Sequence, residues 1–261
     1  MSLKTEERGK KILHVLLQRG SASVEELAEI VGTSPVSLRR DLKRLQDRSL
    51  VHRTHGGARL PGQQQYEAFR FDSSFREREM RFAPEKRRIA MAAAELIRER
   101  ETVGITAGTT TTQLARCIRH RTRIHIVTNA VNIGMELSNQ PGLSVTMTGG
   151  TIRWAGAFSL TGPAAIEMLK DVFLDKVFIS VCGIDAVRGA TAIEPDEAAV
   201  FRAMVRQAKQ VIVLADSSKI GMVSPALICP PSDIDCLVTD AGIPAEAREA
   251  FRAADIEVYP A

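Results

Sequence analysis

The stretch at residues 34–58, SPVSLRRDLKRLQDRSLVHRTHGGA, constrains this chain more than any other. Ser34 is of the residue type that caps a helix, because its hydroxyl accepts a backbone N–H two or three residues on. Pro35 suits the first helical position, where its missing N–H costs nothing. Leu38, Leu42 and Leu45 then recur at i, i+4 and i+7 and share one buried face. The opposite face carries Val36, Ser37, Arg40, Lys43 and Arg44, with Arg39 on its flank. The spacing therefore predicts a capped helix with a leucine floor and a basic, hydroxyl-bearing outer surface.

The flanks decide what such a helix is for. Residues 4–18 read as a first helix, with Ile12, Leu13, Leu16 and Leu17 inward. Ser23 and Glu26 have the spacing of a capping box and open a second helix through Leu27, Ala28 and Ile30. Val31-Gly32-Thr33 is a short glycine-containing turn of the kind that joins a helix-turn-helix. Residues 50–54 alternate as a strand, and Gly56-Gly57 permits a tight hairpin. Helix, helix, turn, capped basic helix and β-wing, in that order, make a winged helix-turn-helix. Its DNA-contacting candidates are Ser34, Pro35, Ser37, Arg39, Arg40, Lys43, Arg44, Arg53 and His55, since guanidinium groups bond guanine edges and phosphates alike. The bland alternative is a solvated basic face on an ordinary helix.

Charge agrees with the first reading. Residues 1–60 hold 12 Lys and Arg against 7 Asp and Glu, a net of +5, which leaves 23 against 24 for the remainder. The basic balance thus belongs to the first sixty residues, as a nucleic-acid footprint requires. Cys117, Cys182, Cys229 and Cys236 show neither a C-x-x-C pair nor metal spacing, so reduced, buried thiols are expected, with no metal and no cofactor. No run of 18 apolar residues and no signal peptide stands out, so a soluble cytoplasmic chain without membrane contact is expected. Two Tyr and one Trp argue against a stacking platform for single strands.

Pro61-Gly62 and the three glutamines after them mark a linker. The division expected is a winged domain at 1–58, a linking and packing segment rich in Phe at 59–83, and a larger domain at 84–261. In the last, Pro84 opens a helix through Ile89, Ala90, Ala93, Leu96 and Ile97. Strands are expected at 103–107, 124–127, 143–147, 176–182, 211–215, 236–239 and 256–259, with helices at 112–119, 130–137 and 197–208. Such alternation makes an α/β fold with a mainly parallel sheet covered on both faces. Ligands bind such sheets beyond the carboxyl ends of the strands.

The polar motifs fall at those ends. Gly108, Thr109, Thr110 and Thr111 follow a strand and open a helix, the arrangement that cradles a phosphate; a threonine-rich cap without ligand is the competing reading. Asn129 suits a sugar hydroxyl. Gly149, Gly150 and Arg153 make a turn with a cation that pairs a phosphate or merely faces water. Gly183 and Asp185 bring a carboxylate. Glu197 begins a helix, where a ligand or the helix dipole accounts for it equally well. Lys219, directly after a strand and two serines, is the cation most suited to a ligand's charge.

The run RRDLKRLQDRSLVHRTHGGA resembles the signature of DeoR-type bacterial transcriptional regulators. GTTT, TNA, GG-x-x-R, GID, DSSK and VTD, in this order, resemble that family's effector domain, so the likeness runs from about residue 4 to about residue 240. It implies a domain similar in fold to ribose-5-phosphate isomerase, and a phosphorylated sugar or polyol as effector. It further implies that Gly108, Thr109, Thr110, Thr111 and Lys219 hold the phosphate, while Asn129, Asp185 and Glu197 face the sugar. Four positions depart from the pattern. Ser49 stands where the family has Gly and Thr33 where it has an apolar residue. Thr106 stands for Asp and Phe201 for Lys, so a different sugar phosphate, or weaker effector binding, is expected.

The function expected is repression of a carbohydrate operon, with double-stranded operator DNA and the effector as partners. Paired half-sites on such operators call for at least a homodimer, with a tetramer open. No catalytic residue is assigned. The alternatives are a sugar-phosphate isomerase with a DNA-binding appendage, using Asp185 or Glu197 as base, and a ligand-independent DNA binder whose second domain only oligomerises.

Overall fold

Leucines at helical spacing build the first unit. A computed structural model describes residues 3–48, 50–54, 56–59, 73–152 and 158–261, and the chain divides into Met1–Phe71 and Asp72–Ala261. Helices α1 (Leu3–Arg19), α2 (Val24–Val31) and α3 (Pro35–Asp47) surround a core of Ile12, Leu16, Leu27, Leu38 and Leu42. Val15 takes the buried place expected for Leu17, which is half-exposed. The capping box forms: Glu26 N donates to Ser23 Oγ at 3.1 Å and Ser23 N to Glu26 Oε2 at 2.8 Å. Gly32 ends α2 at φ 71°, a left-handed cap, and Thr33 N donates to Ala28 O at 2.9 Å. Ser37 N donates to Ser34 Oγ at 3.2 Å, so Ser34 caps α3 as expected.

Asp41 lies on the leucine side of α3, 3% exposed. Arg8 of α1 holds it with both nitrogens of its fork, Nε at 2.9 Å and a terminal nitrogen at 3.3 Å, and so fixes the tilt of the basic helix. The wing is shorter than the alternation at 50–54 suggests. Leu50 and Val51 are buried against the helices, leaving β2 as His52–Arg53. It pairs with β3 (Gly57–Arg59), which also pairs with a strand not expected, β1 (Ser21–Ser23). A Cβ on Gly57 would stand 2.1 Å from Ala22 O, so only glycine lets β3 close on β1.

The second unit begins with α4 (Ser73–Met80) and α5 (Ala83–Glu95). Phe75 is buried edge-on to Phe158, with ring centroids 5.1 Å apart. Glu79 meets Arg116 at 2.6 Å. Residues 73–83 fall in the segment expected to link and pack, and their Phe75 and Glu79 side chains find partners in the second unit.

The strands β4 (Thr102–Ile105), β5 (Ile124–Thr128), β6 (Leu143–Met147), β9 (Lys176–Ser180), β12 (Val211–Leu214), β14 (Cys236–Thr239) and β15 (Glu257–Pro260) form one seven-stranded sheet. Every pairing within it is parallel, in the order β15-β14-β12-β9-β4-β5-β6. The chain leaves β4 toward β5 and β6, then returns to β9 on the other side, so the order reverses between β4 and β9. Right-handed crossovers in opposite directions place their helices on opposite faces. One face carries α6 (Thr109–Ile118) and α7 (Val131–Ser138), with α5 packed along α6. The other carries α9 (Pro195–Arg206), packed with α8 (Pro163–Leu169), and α10 (Ala245–Ala253).

Two smaller sheets were not foreseen. Short strands β7 (Thr151–Ile152) and β8 (Leu160–Thr161) pair antiparallel. Strands β10 (Gly183–Asp185), β11 (Gly189–Ala192) and β13 (Ala226–Cys229) form a three-stranded antiparallel sheet. Thus Gly183 and Asp185 belong to a strand of their own and do not end the expected strand 176–182, which stops at Ser180. Helix α6 starts at Thr109, earlier than the expected 112.

A buried ionic cluster ties the helices of the first face. Glu136 of α7, 3% exposed, accepts from Arg116 Nε at 3.2 Å and lies 3.9 Å from Arg119. Burial pushes its carboxyl up, against the pull of the two arginines. Cys117, Cys229 and Cys236 are buried and their thiols pushed up to about 12, while Cys182 is half-buried; all four are free.

Replacing Ser23 by Ala removes one half of the capping box. It should destabilise the first unit by about 1 kcal/mol in chemical denaturation; unchanged stability would show that the box contributes nothing.

Candidate functional site

Helix α3 presents the face its sequence implies. Val36 is 60% exposed, Ser37 half-buried, and Arg39, Arg40, Lys43 and Arg44 are exposed. Arg39 sits 3.8 Å from Glu25, and Arg44 lies 3.6 Å from Asp41. Arg40, Lys43 and Arg53, the last exposed on β2, have no ion-pair partner among the described residues. Pro35 is exposed at the first helical position, while the Ser34 and Ser37 hydroxyls bond each other at 3.0 Å. His55 lies outside the described residues. The arrangement offers two uncommitted cations on one helix surface and a third on the wing, which is what a groove lined with phosphates and base edges requires.

In the second unit, the strand order reverses between β4 and β9, the point at which open parallel sheets bind ligands beyond their carboxyl ends. Thr106, fully buried, bridges them: its N–H donates to Phe178 O at 3.1 Å and its Oγ1 accepts Ser180 N at 3.1 Å. Gly108 follows, and a Cβ there would stand 2.3 Å from Ser180 Cβ. The glycine lets the chain pass β9 and turn into α6. The first amides of α6, on Thr109, Thr110 and Thr111, have no intrahelical acceptor and point out of the helix start. Thr111 and Thr112 turn their hydroxyls back to Gly108 O, at 3.1 and 2.7 Å. This is an anion-binding geometry: free amides, a positive helix end and a glycine that admits close approach.

Beyond β12, Asp216, 2% exposed, caps a one-turn 3₁₀-helix, Ser217–Lys219. Ser218 N donates to its Oδ1 at 3.2 Å. Asp240 holds the same turn by accepting Ser217 N at 2.7 Å. The turn carries half-exposed Lys219 to the carboxyl edge. It also runs beside β10, through a bridge between Ile184 and Ile220, which brings the Gly183 and Asp185 strand to the same edge.

The other expected residues have visible structural duties. Asn129, fully buried, accepts Ala107 N at 2.9 Å and donates to Leu160 O at 3.2 Å, stapling β8 to the strand ends. Asp185 Oδ1 accepts the N–H groups of Val187 and Arg188 at 2.9 and 2.8 Å, closing the β10–β11 hairpin. Gly149 and Gly150 are exposed at φ 65° and 109°, and a Cβ on Gly150 would meet Thr161 O at 2.5 Å. Glu197 is half-buried in the first turn of α9. Arg153 lies outside the described residues. Phe201, where the resemblance leads one to expect Lys, is a core side chain of α9 at 2% exposure.

Sequence reading passed over Lys86. It is 5% exposed, and its Nζ donates to Arg78 O and to Arg81 O, the latter at 2.8 Å. Burial pulls its pKa down to about 8; the charge of Asp216 opposes this, and the like charge of Lys219 adds to it. The signal was present: Lys86 falls on the same stripe as Ile89, Ala90, Ala93 and Ile97.

Comparison with known proteins decides the family. Residues 8–64 match a model described as a DeoR-like helix-turn-helix domain, and residues 81–241 one described as a DeoR C terminal sensor domain. The chain belongs to the DeoR family of transcriptional regulators. It is 34% identical to the "Putative aga operon transcriptional repressor" of Escherichia coli O157:H7, over 97% of this chain and 93% of that protein. It is 33% identical to the "HTH-type transcriptional regulator GlpR" of Haloferax volcanii, over 97% of this chain and 96% of that one. With the "HTH-type transcriptional repressor GlcR" of Bacillus subtilis it shares 34% over 90% of this chain and 88% of that one. These relatives are regulators, and the DeoR-family chain is a DNA-binding regulator with a sensor domain rather than an enzyme. Among solved structures, ribose 5-phosphate isomerase from Plasmodium falciparum is similar over 52% of each chain at 13% identity and a TM-score of 0.40, a distance that carries no functional weight. No helix among the described residues is long and apolar enough to cross a membrane.

In this DeoR-family sensor domain, Gly108→Ala drives a methyl into Ser180. It should destabilise the second unit by about 1–3 kcal/mol, the usual result of overpacking. Thermal unfolding unchanged from wild type would show that the turn has room to spare.

Proposed function

We propose that this chain is a cytoplasmic repressor of a carbohydrate-metabolism operon, released from or held on its operator by a phosphorylated sugar or polyol. What supports the effector half is the strand reversal, with the α6 start at Thr109, Thr110 and Thr111 following β4 and the Lys219 turn following β12, both at the carboxyl edge of the sheet. A phosphate satisfies amides and ammonium together, and a neutral sugar satisfies neither fully. Gly183, Asp185 and Glu197 would face the polyol part, and the Gly149-Gly150 turn would bring Arg153 to pair the phosphate. Asn129 would act there through the backbone it positions. Thr106 removes the carboxylate that the family pattern places beside the loop, which favours an effector with fewer hydroxyls to satisfy at that point. The printed names of the E. coli and B. subtilis relatives, both repressors, support repression.

The DNA half rests on α3 and the wing, with Ser34, Pro35, Ser37, Arg39, Arg40, Lys43 and Arg44 at the groove and Arg53 and His55 along the backbone. One α3 helix covers one half-site, so a homodimer or a tetramer of this chain would engage the operator. The effector shifts the equilibrium between DNA-competent and incompetent arrangements by its differential affinity for the two.

Two substitutions test the halves separately. Arg40→Ala should weaken operator binding by about 1–3 kcal/mol if it reads a base, and an equal loss on random DNA would reduce it to a phosphate contact. Lys219→Ala should keep operator affinity and lose the response to phosphorylated effectors in the same titration. Loss of operator binding as well would make Lys219 a structural residue.

A further inference from the structure

Glu25 stands where a carboxylate is least welcome. It is the second residue of α2, with a side chain 69% exposed, and its Oε1 lies 3.8 Å from a terminal nitrogen of Arg39, itself 54% exposed on the flank of α3. Val24, one residue earlier, donates its N–H to Gly56 O at 2.8 Å. The first turn of α2 therefore meets both the reader helix and the wing. Phosphates brought to those two elements repel a carboxylate placed between them.

Two ordinary duties account for Glu25 poorly. An acid in a helix's first turn complements the dipole, but Glu26 already serves the start of α2, accepting Ser23 N at 2.8 Å and Ser23 Oγ at 2.9 Å. An ion pair between two exposed side chains adds little to stability, because water screens it and both side chains lose rotamer freedom. Among the described residues Glu25 has no partner other than Arg39. The pair's effect is on the orientation of Arg39. An untethered arginine on a basic surface takes the nearest phosphate, a contact that carries no sequence information. An arginine held from the side has part of its fork committed, and it gives up its flexibility before DNA arrives. The carboxylate beside it also lowers the charge it shows to the phosphates.

We propose that Glu25 is a specificity-determining residue of the reader, holding Arg39 off the phosphates and toward the base edges, so that the module discriminates sequence and binds random DNA more weakly. Glu25 touches no base; it is a positioning residue that acts through Arg39. The inference rests on the placement of Arg39 at the groove proposed above, and adds to it the residue that decides how that arginine is used.

Glu25→Gln, Arg39→Ala and the double variant, each in the full chain, test this on two probes: the duplex that wild-type protein selects from a pool of random sequence, and the unselected pool. Glu25→Gln removes the charge and keeps the shape. It should lower the ratio of selected to unselected affinity about tenfold, within the range of one bidentate base contact, chiefly by strengthening binding to the pool. The slope of log affinity against log salt on the pool should steepen by about one, as Arg39 gains a phosphate. With Arg39→Ala already present, Glu25→Gln should change neither quantity. Equal strengthening on both probes, or the same fall in the ratio with Arg39 absent, would overturn the inference. A fall in the ratio on Arg39→Ala without one on Glu25→Gln would overturn the inference alone, whereas Arg39→Ala that leaves ratio and slope as in wild type would overturn the placement of Arg39 too. Lower thermal stability of Glu25→Gln with weaker binding to both probes would make Glu25 a structural residue of α2 and also overturn it.

Discussion

The reversal of strand order between β4 and β9 is the constraint on which the sensor domain depends. Two parallel neighbours that lead their crossovers to opposite faces leave no connection over their carboxyl ends. Something must still hold those ends in register where no loop does. Thr106 does this with one donated and one accepted hydrogen bond to the backbone of β9, and Gly108 lets the chain graze Ser180 on its way into α6. The free amides of α6 follow as a by-product of that geometry. The same turn that solves a packing problem leaves a positive helix end at the carboxyl edge of the sheet.

What was legible in the sequence was whatever repeats at a fixed period or ends at a cap. The leucines of α3, the Ser23 box, the Gly32 cap and the strand–helix alternation are local, and each came out within a few residues. Asp41, Lys86 and Glu136 were less visible, though all three lie on apolar stripes, beside Leu38 and Leu42, Ile89 and Ala90, and Ile133 and Leu137. A charged residue on such a stripe is a statement that a partner exists elsewhere in the chain. Finding Arg8 for Asp41, or the Arg78 carbonyl for Lys86, takes tertiary structure, because the separation exceeds any helical period or the partner is backbone. The small sheet of β10, β11 and β13 was missed for a related reason. Its strands are three or four residues long, and two of them close on each other through glycine contacts that have no sequence period.

The candidate site residues divide by duty rather than by distance from the strand reversal. Gly108 and the threonines offer backbone amides, and Lys219 offers charge. Asn129 and Asp185 spend their polar atoms on neighbouring backbone, so their influence on a ligand passes through the loops they hold. Motif reading treats every polar residue at a strand end alike. Hydrogen-bond accounting separates those with capacity left from those without. By the same accounting Arg40 and Lys43, without an ion-pair partner among the described residues, are the uncommitted cations on the outer face of α3, whereas Arg39 and Arg44 already share theirs with Glu25 and Asp41.

The central claim is that the carboxyl edge at the strand reversal recognises a phosphate, and it is met most directly by thermal unfolding of the full chain against matched pairs of phosphorylated and free sugars and polyols. A ligand that binds only the folded state at about 100 times its Kd adds roughly 2.7 kcal/mol. The account predicts such a rise for at least one phosphorylated member and none for its unphosphorylated twin. Equal rises for both members of a pair, or no rise with any phosphorylated compound, would contradict it.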